Sequence, residues 1–150
     1  GASDHAIYLL DATDLSLKQQ ITRAHDNSVF CVQYSLDERY LYSGGRDAQL
    51  KVWELGESAR GVLQKAAHWY TINDLALSPD GRLLATGSRD KRIRIWRTSD
   101  FELIKTLDTI HDQGHVNSVN RLLWLPGGEL ISASDDRRLI VWEAATPPKK

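Results

Sequence analysis

An Asp and a Trp six residues apart occur three times in this 150-residue chain, each time preceded by a His and by a Ser or Thr at nearly fixed distances. The sets are His25, Ser43, Asp47 and Trp53; His68, Thr86, Asp90 and Trp96; and His115, Ser132, Asp136 and Trp142. Ser or Thr precedes Asp by 4 residues in every copy, and His precedes Asp by 22, 22 and 21. Self-similarity of this kind implies a repeat architecture, in which each unit buries its apolar face against the next one.

The three Trp residues lie 43 and 46 positions apart, a period shared by propeller blades and by some helical arrays. Local patterning separates these. Leu50-Lys51-Val52-Trp53, Ile93-Arg94-Ile95-Trp96 and Leu139-Ile140-Val141-Trp142 are period-2 runs rich in β-branched residues, so they predict strands. A second strand follows each His, with apolar residues four and seven positions on: Val29 and Val32, Ile72 and Leu75, Val119 and Leu122. Turn signals then intervene, as in Ser78-Pro79-Asp80-Gly81 and Leu125-Pro126-Gly127-Gly128. Tyr40–Tyr42, Leu83–Ala85 and Leu130–Ile131 form a third strand, and the looser runs Leu17–Ile21, Val62–Lys65 and Leu103–Leu107 a fourth. The fold class is therefore all-β.

These residues resemble the WD-repeat β-propeller family over essentially the whole chain outside its last few residues. The Gly-His signature survives as Gly114-His115 and is softened to Ala24-His25 and Ala67-His68. The Trp-Asp pair appears as Trp53-Glu54, Trp96-Arg97 and Trp142-Glu143. The resemblance implies blades of four antiparallel strands, each with its His, Ser or Thr, Asp and Trp joined in one hydrogen-bonded chain. The donor and acceptor types fit: the Asp accepts from backbone amides and the imidazole, and the hydroxyl accepts the indole N–H. The resemblance also implies a partner-binding top face formed by residues three and five beyond each His and by the residue before each network Asp. That maps to Ser28, Phe30 and Arg46, to Thr71, Asn73 and Arg89, and to Ser118, Asn120 and Asp135. Phe30, Arg46 and Arg89 are the most suggestive of these, since aromatic and Arg side chains dominate binding hot spots. Trp69 is a further candidate unless blade packing buries it, whereas Trp124 shares an alternating face with Leu122 and is expected in the core.

The expected organisation is a partial repeat over 1–23, repeats over 24–66, 67–113 and 114–143, and a Pro-rich charged tail over 144–150. Asp4 and Leu10 keep the six-residue spacing, so Ala6–Leu10 reads as the third strand of a repeat, with Leu10 in the Trp place. About three and a fraction blades make an incomplete ring in one chain, because propellers close with roughly four to eight. Open edge strands are adhesive, so ring closure by self-association, most simply a homodimer, is expected.

Three functional classes follow. The first is a non-catalytic protein-protein interaction scaffold that binds a protein or peptide partner on the top face. The second is a truncated or engineered half-propeller that assembles into a ring with no evolved activity of its own. The third is an enzyme using the central channel, for which the sequence offers no acid, base or nucleophile constellation beyond the repeated networks; a His, Ser and Asp triad within those networks is argued against by threefold repetition and by the Trp covering each hydroxyl. No cofactor or metal is expected: His111 and His115 alone do not make a zinc site, and the stretch between Trp96 and His115 is four residues longer than its counterpart, placing His111 on a loop insertion.

A net charge of −1 directs the chain to neither nucleic acid nor a membrane surface, and no run approaches the roughly 18 apolar residues of a membrane span. Arg89, Lys91, Arg92, Arg94 and Arg97 form one basic stretch, read as a solvated turn and strand face or, more sharply, as a site for an acidic partner. The single Cys31 excludes an internal disulfide and is expected as a small core residue. No signal-peptide pattern opens the sequence, which makes a cytoplasmic setting the default.

Overall fold

A computed structural model describes residues 1–143; the tail expected over 144–150 lies outside the described residues. Thirteen strands form four antiparallel sheets. A partial sheet pairs β1 (Ile7–Leu10) with β2 (Leu17–Ile21). The first full blade runs in order β3 (Val29–Tyr34), β4 (Tyr40–Gly45), β5 (Gln49–Glu54), β6 (Arg60–Ala66). The second runs β7 (Ile72–Leu77), β8 (Leu83–Ser88), β9 (Ile93–Arg97), β10 (Leu103–Leu107). The third has β11 (Val119–Trp124), β12 (Leu130–Ser134) and β13 (Leu139–Trp142). The described strands make an incomplete β-propeller, not a closed ring.

The strands form because their side chains alternate between the two faces of each sheet, and the faces turned toward a neighbouring blade are mainly apolar. Three clusters fill the spaces between sheets. Ile7, Ile21, Val29 and Leu41 join the partial sheet to the first blade. Leu50, Val52, Ile72, Leu75 and Leu84 join the first to the second, with Tyr42 and Phe101 edge-to-face at 5.6 Å. Ile93, Ile95, Val119, Leu122 and Leu130 join the second to the third. Close approach of the inner strands depends on two glycines. A Cβ on Gly44 would lie 2.7 Å from Ile72 Cγ2, and one on Gly87 would lie 2.9 Å from Val119 Cγ1. In the third blade Ala133 holds that place.

Where no described strand covers them, the same positions face solvent. Leu139 occupies the place of Leu50, yet it is 74% exposed against 0%. At the other end Val32 occupies the place of Leu75 and is 40% exposed against 5%. Trp124 packs in the core between blades two and three, and its indole N–H donates to the Ala76 carbonyl at 3.0 Å. Cys31 is buried in the cluster between blades one and two. Burial pushes its thiol above the ordinary range.

Candidate functional site: the repeated networks and the rim above them

Each network Asp sits in the tight turn between the second and third strands of its blade. The residue after it takes a left-handed conformation: Ala48 at φ 61°, Lys91 at 74° and Arg137 at 65°, with His5 at 70° following Asp4. Side chains other than Gly rarely adopt this conformation. The Asp carboxylate supports it by accepting from the amide two residues on: Gln49, Arg92 and Arg138, at 3.0–3.1 Å.

The same carboxylate reaches across the blade to its His. His25 Nδ1 lies 2.9 Å from both oxygens of Asp47, and Nε2 lies 2.7 Å from Ser43 Oγ, which accepts the Trp53 indole N–H at 2.9 Å. In the second blade the distances are 2.9 Å from His68 to Asp90, 2.8 Å to Thr86 and 3.0 Å from Trp96 to Thr86. In the third they are 2.9 Å from His115 to Asp136, 2.7 Å to Ser132 and 2.8 Å from Trp142 to Ser132. Because a carboxylate only accepts, Nδ1 donates to it; in the neutral imidazole the hydroxyl then donates to Nε2 while accepting the indole N–H. Every group in the chain is thereby satisfied.

Burial alone would raise the Asp47 and Asp90 carboxyls, but their imidazole partners and backbone amides outweigh it and hold both below the usual carboxylate range. Asp136 is held further below, since Arg138 adds an ion pair at 2.9 Å. Asp4 keeps only part of the pattern, accepting from the Ala6 amide at 3.1 Å and from the Tyr8 hydroxyl.

A hydroxyl donating to His and a His donating to Asp reproduce the connectivity of a hydrolytic triad. Here Ser43, Thr86 and Ser132 are fully buried and already accept an indole N–H. No substrate carbonyl can approach them without dismantling the blade.

Directly beyond each network Asp, at the same end of every blade, backbone bonds hold the rim residues in pairs. The amides of Arg46, Arg89 and Asp135 donate to the carbonyls of Ser28, Thr71 and Ser118 at 2.9–3.1 Å. Phe30, Asn73 and Asn120 fall at β-bulges in the inner strands, between Val29 and Cys31, Ile72 and Asp74, and Val119 and Arg121. A bulge re-aims its extra residue. Phe30 is 52% exposed. Asn73 instead bridges two blades, donating to the Val119 carbonyl at 2.8 Å, and Asn120 donates to Asp135 at 2.6 Å. Ser118 is buried and its hydroxyl is engaged by Asn73 and Asn120, so it offers no free group at the rim.

Trp69 is not buried by blade packing but is 75% exposed, because it follows His68 in the loop that passes over the rim. Its neighbour Tyr70, which sequence reading did not single out, is also exposed. Aligning the repeats on their His residues would have flagged it, since Asn27 and Asn117 hold the same place. The basic stretch divides. Arg94 is half-buried and donates to the Ala67 carbonyl, and Arg97 pairs with Asp100 and Glu102 at 2.8 Å. Arg89, Lys91 and Arg92 have no ion pair among the described residues. His111 lies exposed in the inserted loop, 3.1 Å from Asp108, and no group of three or more potential metal ligands occurs among the described residues.

The family profile for the WD domain, G-beta repeat, matches the chain at residues 17–54, 61–97 and 101–143, well over half its length. Each matched stretch begins with the outermost strand of one sheet and runs through the three inner strands of the next. No curated protein matches the chain.

Proposed function

Since the chain belongs to the WD-repeat family, whose repeats generally mediate protein-protein interaction, we propose that it is a non-catalytic interaction module that receives a protein or peptide on its top rim. One observation carries this reading. The buried network repeats the same chemistry in all three blades, whereas the rim directly above it differs each time: Phe30 and Arg46, Asn73 and Arg89, Asn120 and Asp135. The first set is required to build a blade; the second is not, and its exposed members are free to select a partner.

Affinity capture with the wild-type chain, a Phe30→Ala/Arg46→Ala variant and an Arg39→Ala variant at the opposite end of the blades tests it. The rim variant should lose the captured partner at unchanged melting temperature, and Arg39→Ala should retain it. Equal capture by all three contradicts the proposal.

A second reading, self-association into a closed ring, is supported by the exposed end faces. Leu139 and Val141 on one side, and Val32 and Tyr34 on the other, correspond to positions that pack against each other inside the chain. Light scattering should give a homodimer for the wild type and a monomer for Leu139→Glu; a monomeric wild type rules this out.

A further inference from the structure

Trp69 and Tyr70 mark a departure within the repeats. In the loop after each network His the chain has Asp26-Asn27, Trp69-Tyr70 and Val116-Asn117. The two Asn side chains hold their loops by accepting from the amides of Ser28 and Ser118 at 2.8 Å. Tyr70 cannot do so; instead the Ser88 hydroxyl donates to its carbonyl at 3.1 Å. The fold is kept by a substitute bond while two large rings are left 75% and 60% exposed. Trp and Tyr are among the residue types that dominate binding hot spots.

Apart from the network carboxylate of Asp90, which is engaged by His68 and backbone amides, the charged side chains beside the rings are basic. The Arg92 guanidinium lies 5.1 Å over the Trp69 ring, a cation–π contact that steadies both. The Arg89 amide is bonded to Thr71, immediately after the two rings, at 3.0 Å. Lys91 occupies the same turn, and Arg94 donates to the carbonyl of Ala67, just before His68. None of Arg89, Lys91 and Arg92 has a carboxylate partner among the described residues, whereas Arg97 has two.

We propose that Trp69, Tyr70, Arg89 and Arg92 dock an acidic peptide segment that carries an apolar side chain. Its carboxylates engage the guanidinium forks and its apolar residue lies against the rings. A single-stranded nucleic acid fits less well, because it needs successive stacking platforms along a positive groove. Here the corresponding loops offer Asp26-Asn27 and Val116-Asn117, and the corresponding rim position in the third blade is Asp135. This inference rests on the top-rim reading and names the partner's chemistry.

Fluorescence anisotropy with a labelled peptide of mixed Asp and Glu around one central Phe tests it, with a Lys-for-acid version and an oligouridylate as controls. The acidic peptide should bind, and Trp69→Ala or Arg89→Glu should weaken it at least about tenfold. Affinity should fall as salt rises, and the Lys version should not bind. Both variants should melt as the wild type does, since neither side chain belongs to a network. Absence of acidic-peptide binding, affinity indifferent to both substitutions, or tighter oligouridylate binding through the same residues overturns the proposal. Capture lost in Phe30→Ala/Arg46→Ala alongside peptide binding indifferent to Trp69→Ala defeats this inference alone. Equal capture by the wild type, Phe30→Ala/Arg46→Ala and Arg39→Ala defeats the top-rim reading itself.

Discussion

Leu50, Ile93 and Leu139 occupy one position in three successive repeats, and the first two are core residues while the third stands in water. Their own blades are built alike: the same turn with the same left-handed residue after Asp, the same His, hydroxyl and indole chain. The second blade is packed on both sides, and the third on one. The contrast separates two sources of order in the molecule. Hydrogen bonds within a repeat shape the blade, whereas burial of its faces is supplied by whatever lies beside it.

The strongest way to break that separation is to empty the same kind of side chain in both settings. Leu84→Ala, fully buried between blades one and two, should destabilise the chain by about 2–5 kcal/mol in urea unfolding. Leu139→Ala should stay within about 0.5 kcal/mol in a monomeric chain, as an exposed position does. Equal costs would mean that the end face is covered.

Acid sharpens the other half of the contrast, because the networks belong to every blade whatever its neighbours. Asp47, Asp90 and Asp136 titrate lower in the folded chain than the roughly 3.9 of an unfolded Asp. The folded state therefore holds fewer protons, and the stability these groups contribute is complete above that pH and is lost as pH falls through their folded values. Asp74 acts in the opposite sense, its burial raising it despite the Leu122 amide, so its protonation offsets a small part of the loss. Chemical denaturation should show little change from these carboxylates between about pH 5 and 7, with a decline below about pH 4. Asp90→Asn should make that decline shallower.

The parts legible in the sequence were those that each repeat states for itself. Strand order and the four-residue networks follow from spacing, because the hydrogen-bond chain needs those types at those distances. Surroundings were less legible. The apolar character of Val32 and Leu139 is the same as that of Leu75 and Leu50, so nothing local distinguishes a covered face from an open one. Trp69 could be read as packed or exposed for the same reason. Glu38 takes a left-handed conformation where Gly81 and Gly128 stand in the later repeats, and the bulges at Phe30, Asn73 and Asn120 leave no mark in the alternation around them.

Arg89 and Asp90 are adjacent and stand for the two halves of the account: the first is proposed to meet a partner, whereas the second holds the blade. Calorimetric melting of Arg89→Ala and Asp90→Ala, side by side, tests that division directly. Loss of the Asp90 carboxylate strands the His68 Nδ1–H and the Arg92 amide, at about 1–3 kcal/mol each, and leaves the exposed Trp69 amide to water. At about 2–4 °C per kcal/mol for a chain of this size, the melting temperature should fall by at least about 4 °C in Asp90→Ala and stay within about 1 °C in Arg89→Ala. Equal melting of the two variants, or a larger loss in Arg89→Ala, would contradict the account.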